Sequence, residues 1–189
     1  MREWLDFLDY PWHPISRLAL IGWLIFYALF LLHSATDADG FLFIDNANLI
    51  VHEAGHLLAG WTEHILFTIW SGTLLQWFVP LALAASFFVR RHTTGFVFCL
   101  FVFFENFLYT SVYMADARAM DLPLVSVGGF DPDANNHDWN LIFSNLGVLP
   151  WDTRIAGAVR FAGWIGMLGT VGWFVWRCLE DWRTGEAQR

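Results

Sequence analysis

Five consecutive residues, His52-Glu53-Ala54-Gly55-His56, carry the most legible chemistry in this sequence. On a helix, the i,i+4 spacing sets both imidazoles on one face about one turn apart, so both can reach a single metal ion, with Glu53 beside a metal-bound water. Zinc would bring the pKa of that water towards neutrality, and Glu53 could take its proton and hand it to a leaving group. His52 and His56 are therefore candidate ligands for one zinc ion per chain, and Glu53 is the candidate catalytic base. Imidazole and carboxylate donors favour zinc, although Fe²⁺, Co²⁺ and Mn²⁺ accept the same set.

A catalytic zinc usually has three protein ligands and one open position, so the motif is one donor short. The extended pattern with a third histidine is not met. Ala59 replaces its glycine, Thr62 stands at its last histidine position, and His64 comes two residues late and reads as an interfacial residue. Three places downstream qualify. Glu105-Asn106 lies within an apolar segment, with Tyr109 and Asp116 on nearly the same helical side. Asp116 sits at the end of that segment, where a carboxylate opposes the helix dipole and so hints at a purpose. His137-Asp138-Trp139 follows a Gly- and Asp-Pro-rich turn region, with Asn135 or Asn136 as a cap for a short helix over 137–146. His137 and Asp116 are the expected additional ligands. Asp138, Glu105 and Asn106 are expected as second-sphere groups or as alternative ligands.

The elements that must position these residues are membrane helices. The chain is 57% hydrophobic, 19% aromatic and only 15% charged, which is unlike a soluble domain of this size. The predicted fold is an all-α integral membrane protein: a single polytopic domain over 1–189, with segments at about 15–33, 46–61, 65–89, 93–115 and 155–177 and a polar outer loop over 116–153. That makes four or five membrane segments. A helix over 46–61, with Asp45 or Asn46 as its cap, reaches only about 22 Å. It either spans or, as its length favours, is re-entrant. Gly163, Gly166, Gly169 and Gly172 fall in step along the last segment and suit close helix packing.

Arg2 and Arg17, Arg90-Arg91, and Arg177, Arg183 and Arg189 assign their ends to the cytoplasm, which puts the histidine motif towards the extracytoplasmic face of a plasma (bacterial inner) membrane. Membrane lipid is the expected surrounding. A net charge of −8, with no basic cluster beyond Arg90-Arg91, excludes nucleic acid as a partner. Cys99 and Cys178 form neither a paired motif nor a disulfide framework.

The H-E-x-G-H form in a hydrophobic helix resembles the site-2-type intramembrane zinc metalloproteases. That resemblance implies two histidine ligands, here His52 and His56, a distant aspartate ligand, and Glu53 as the residue that activates water. The N-x-x-P-x-x-x-x-D-G segment that supplies the aspartate in that family is absent. Over most of its length the chain also resembles a group of uncharacterised bacterial membrane proteins. These combine the HEAGH helix with an E-N pair, a Y-M-A-D-A-R stretch and an H-D-W motif, here Glu105-Asn106, Tyr113 to Arg118 and His137 to Trp139. The likeness implies that these places form one site.

The expected function is a membrane-embedded zinc metallohydrolase, a metalloprotease acting on membrane-bound or membrane-proximal peptides. The same water-activating chemistry serves a lipid amide or ester. A non-catalytic metal-binding membrane subunit is the alternative outside enzymology, and it would close the coordination shell with protein donors.

Overall fold

The computed structural model describes residues 10–37, 42–122 and 137–185. Among them are six α-helices and no strand: α1 (Arg17–Thr36), α2 (Asp45–Gly60), α3 (Ile65–Val89), α4 (Thr93–Ala115), α5 (Asp138–Asn145) and α6 (Asp152–Thr184), with one 3₁₀ turn at Leu149–Trp151 before α6. The fold is all-α, as expected. Four helices, α1, α3, α4 and the 36-residue stretch Leu149–Thr184, are long and apolar enough to cross a membrane. The chain is therefore an integral membrane protein, because a helix satisfies its own backbone hydrogen bonds where no water can. α2, with 16 residues, is not among these four. At about 1.5 Å per residue it falls short of a hydrocarbon core of about 30 Å.

The helices gather into two compact units. The first holds α1, α3 from Pro80, α4 up to Phe104, and α6 from Trp164. Aromatic rings fill it: Tyr27 meets Phe101 at 4.7 Å and Phe174 at 6.2 Å. At one end the segment before α1, the α3–α4 turn and the end of α6 are tied together. The His13 N–H donates to the Arg91 carbonyl (2.8 Å), the Thr93 hydroxyl to the His13 carbonyl (2.7 Å), and Trp182 Nε1–H to the Ile15 carbonyl (3.2 Å). Arg91 lies over the Trp12 ring and Arg17 over the Trp182 ring, at 5.1 and 5.3 Å. Of the basic residues that the sequence assigns to one face, Arg17 and Arg91 thus share an end of this unit. Of the glycines in the α6 stripe, Gly166 is in close approach, since a β-carbon there would strike the Phe104 ring. Gly169 and Gly172 have open space beside them.

The second unit holds α2, α3 up to Val79, α4 from Glu105, α5, and α6 up to Gly163. Its core is Met114, Ala117, Trp139, Ile142, Phe143 and Ala156, which bury the inner face of α5. Trp70 stands edge-on to Trp139 at 5.6 Å. α2 is amphipathic in the inverted sense. Asp45, Asn48, His52, Gly55 and Ala59 are buried, whereas Ile50, Leu57, Leu58 and Trp61 are exposed. Polar groups inward and apolar groups outward suit a helix in contact with lipid. The expected side-chain cap of α2 is absent. Its N-cap is Ile44, and Asp45 is instead the first helical residue, its carboxylate accepting the Leu42 N–H at 2.6 Å.

Candidate metal centre

Gly55 lets α2 approach α3 closely. A β-carbon at this position would strike the Ser71 carbonyl and come within 2.8 Å of the Gly72 Cα. This contact brings the His52 and His56 rings against the start of α3. His56 Nδ1 lies 2.8 Å from the Thr68 carbonyl and His52 Nδ1 lies 3.1 Å from Gln76 Oε1. A carbonyl oxygen only accepts, so each Nδ1 carries the proton, and each Nε2 presents a lone pair. Both lone pairs point the same way. Asp138 Oδ2 stands 2.9 Å from His52 Nε2 and 3.1 Å from His56 Nε2.

Three acceptor atoms thus converge with no donor among them, and they lie within 4.8 Å of one another. That arrangement calls for a cation or a proton between them. Ligands about 2.0–2.2 Å from a tetrahedral zinc would be roughly 3.3 Å apart, so the group needs only a small expansion to hold one. Gly72 lets both rings lie close to α3: a β-carbon built there would lie 2.7 Å from His52 Nε2, and 2.6 and 2.7 Å from His56 Nε2 and Cε1. His52 is nearly buried, whereas the His56 side chain is 21% exposed, so the group has an approach beside His56. Glu53 is half-buried on the same helix and its charge acts on His56.

The electrostatics agree with the geometry. Burial works against a charged His56, but the hydrogen bond and charge of Asp138 outweigh it and hold its pKa above the usual histidine value. Burial likewise works against the Asp138 carboxylate, yet the two histidines hold its pKa below the usual aspartate value. Without a metal, a proton on His56 fills the role that the cation would take.

The end of α4 and the start of α5 place Asp138. Its backbone N–H donates to the Tyr113 hydroxyl at 3.0 Å. His137 is the N-cap of α5, and its Nδ1 accepts the Asn140 N–H at 3.2 Å. Its other nitrogen then carries the proton, which points at Asp116 Oδ2, 3.2 Å away. Asp116 also accepts the N–H groups of Asp121 and Leu122, at 2.9 and 3.1 Å. Burial, only partly offset by Asp116, holds the His137 pKa below the usual histidine value. Arg118 pairs with Asp152 at 2.8 Å.

His52 and His56 are thus brought together as the motif predicts, and the carboxylate that joins them is Asp138. His137 and Asp116, expected as ligands, are not in that group: both nitrogens of His137 are committed elsewhere, and Asp116 holds His137 and a backbone turn. The cap of α5 is His137 itself, while Asn135 and Asn136 lie outside the described residues. Glu105 and Asn106 are fully buried but do not belong to the converging group; Glu105 meets Asn48. His64 is exposed and outside it. Gly72, Gln76 and the Thr68 carbonyl were not singled out by sequence, whereas Tyr113 was, as the first residue of the Y-M-A-D-A-R stretch. The one available signal was the Ser71-Gly72 interruption among the large residues of the first half of α3. Compared with known proteins, the chain matches no family model, no curated protein and no solved structure.

Proposed function

We propose that the chain is a membrane-embedded zinc metallohydrolase, a metalloprotease acting on membrane-bound or membrane-proximal peptides. The observation that carries this proposal is the convergence of His52 Nε2, His56 Nε2 and Asp138 Oδ2 on one point, with both Nδ1 atoms already committed. Three protein donors and an approach beside His56 match a catalytic rather than a closed structural site. A bound zinc would supply Lewis acidity and a water acidic enough to lose its proton near neutral pH. Glu53 would accept that proton on its carboxylate and deliver it to the departing amine. Gln76 and the Thr68 carbonyl hold the imidazoles in the ligating tautomer, and Tyr113 fixes the turn that bears Asp138.

α3 meets the site through Thr68 and Gly72 near its start, and Arg90-Arg91 follow its other end. With basic residues held in the cytoplasm, the site faces the extracytoplasmic side of a bacterial inner membrane. The exposed apolar face of α2 puts lipid beside the motif, which favours a substrate held in the membrane and leaves a lipid amide or ester as the second reading. The test is elemental analysis of the protein purified in detergent, with hydrolysis of reconstituted membrane peptides and of lipid amides and esters measured side by side. About one zinc per chain and peptide cleavage abolished by Glu53→Gln is the expected result. Lipid cleavage with the same dependence selects the second reading, and metal without any Glu53-dependent hydrolysis selects a non-catalytic subunit.

A further inference from the structure

Two turns of α2 place Asp45 and Asn48 on the same buried face as His52, and α4 answers them with Glu105. Asn48 Nδ2 lies 2.9 Å from Asp45 Oδ1 and 3.1 Å from Glu105 Oε2. One amide nitrogen therefore bridges two carboxyl groups and spends both of its hydrogens on them. The two acids also face each other within hydrogen-bonding reach. Glu105 has no accessible surface, and among the described residues its Oε1 receives no N–H or O–H donor. Among the described residues, the polar groups that act on Glu105 are Asp45 and Asn48, and neither is a cation. The Tyr109 phenol, one turn further along α4, also lies within the influence of Asp45.

Two ionised carboxylates in contact, away from water, repel strongly, and one of them must be neutralised. A metal cation between them would need the oxygen of Asn48 turned inward. The bridging amide nitrogen instead occupies the place from which both acids are reached. Asp45 already accepts two hydrogen bonds, from the Leu42 N–H and from Asn48, as an ionised carboxylate does. Glu105 is left with one oxygen that no donor reaches, and that oxygen is where a proton would turn it from an acceptor into a donor.

We propose that Asp45 and Glu105 share a single proton, carried by Glu105, and that this proton docks the first turn of the metal-binding helix onto α4. Glu105 is then a positioning residue for the centre. It acts through Asp45 and Asn48, and the latter lies one turn before His52. The pair depends neither on the identity of the metal nor on hydrolysis.

Infrared spectroscopy of the full chain in detergent at neutral pH, with ¹³C-labelled glutamate in one sample and ¹³C-labelled aspartate in another, tests this without any substitution. A protonated carboxyl band that moves with glutamate labelling and not with aspartate labelling is expected. The band is absent in Glu105→Gln, which keeps the shape and supplies N–H donors to Asp45, and which retains wild-type metal content and thermal stability. Glu105→Ala, lacking the donor, loses at least several-fold in metal affinity. The proposal is overturned if no such band exists, if it moves with aspartate, or if Gln is as damaging as Ala. Thermal stability that depends on added sodium or calcium in place of the band would also overturn it and assign a cation to the pair.

Discussion

Gly72 and His56 stand so close that a β-carbon on the glycine would come within 2.6 Å of the imidazole Nε2 and 2.7 Å of its Cε1. The approach of the rings to α3 is therefore set by a residue with no functional group. Alanine exceeds glycine in helix propensity by up to about 1 kcal/mol, which offsets part of the cost of moving the two rings away from the added β-carbon. Gly72→Ala is expected to fold, with a far-ultraviolet circular dichroism spectrum like wild type, while its bound zinc falls from about one per chain to near none. Normal metal content in this variant would place the ion elsewhere.

The third donor can be identified by four substitutions read together. Asp138→Ala and His56→Ala should lose the metal. His137→Ala and Asp116→Ala should keep it with weakened affinity, because they support the cap of α5 and not the ion. Loss of that cap costs about 0.5–2 kcal/mol of stability, visible as a lower melting temperature. Isothermal titration with zinc after chelation separates the two pairs.

Gln76 holds His52 through one hydrogen bond, at 3.1 Å from Nδ1. Gln76→Leu preserves much of the side-chain volume and removes the acceptor, so zinc affinity should fall by about 10–100-fold. The Thr68 contact runs through a main-chain carbonyl, and Thr68→Ala should therefore leave affinity nearly unchanged. Competition with a chromogenic chelator measures both.

Glu53 contributes no donor to the converging group. Glu53→Gln should retain zinc at wild-type stoichiometry while the hydrolytic rate falls by about 10²–10⁴-fold or more, as removal of a general base does. Equal loss of metal and activity would mean that Glu53 acts through folding.

Packing at Gly55 can be tested apart from chemistry. A β-carbon there strikes the Ser71 carbonyl, which belongs to the backbone and cannot rotate away. Gly55→Ala should push α2 from α3, lower stability by about 1–3 kcal/mol in denaturant titration, and weaken metal binding with it.

The membrane helices were legible because hydropathy over some twenty residues is a local property. The expected segments at 65–89 and 93–115 coincide with α3 and α4, and 155–177 lies within the longer α6. The pairing of His52 with His56 was legible for the same reason, since an i,i+4 spacing on one helix needs no other element to bring its members together. The third donor was not. His137 and Asp138 are neighbours, both chemically suited to zinc, and sequence order favours neither. The backbone at the start of α5 separates them: His137, extended at φ −82° and ψ 100°, folds its ring back onto the Asn140 N–H, while Asp138, the first helical residue, points its carboxylate at the histidines. The close approach at Gly72 and the meeting of Asp45 with Glu105 also belong to the tertiary structure. Each depends on how closely two helices distant in sequence approach, a distance set by packing and not by the composition of either helix.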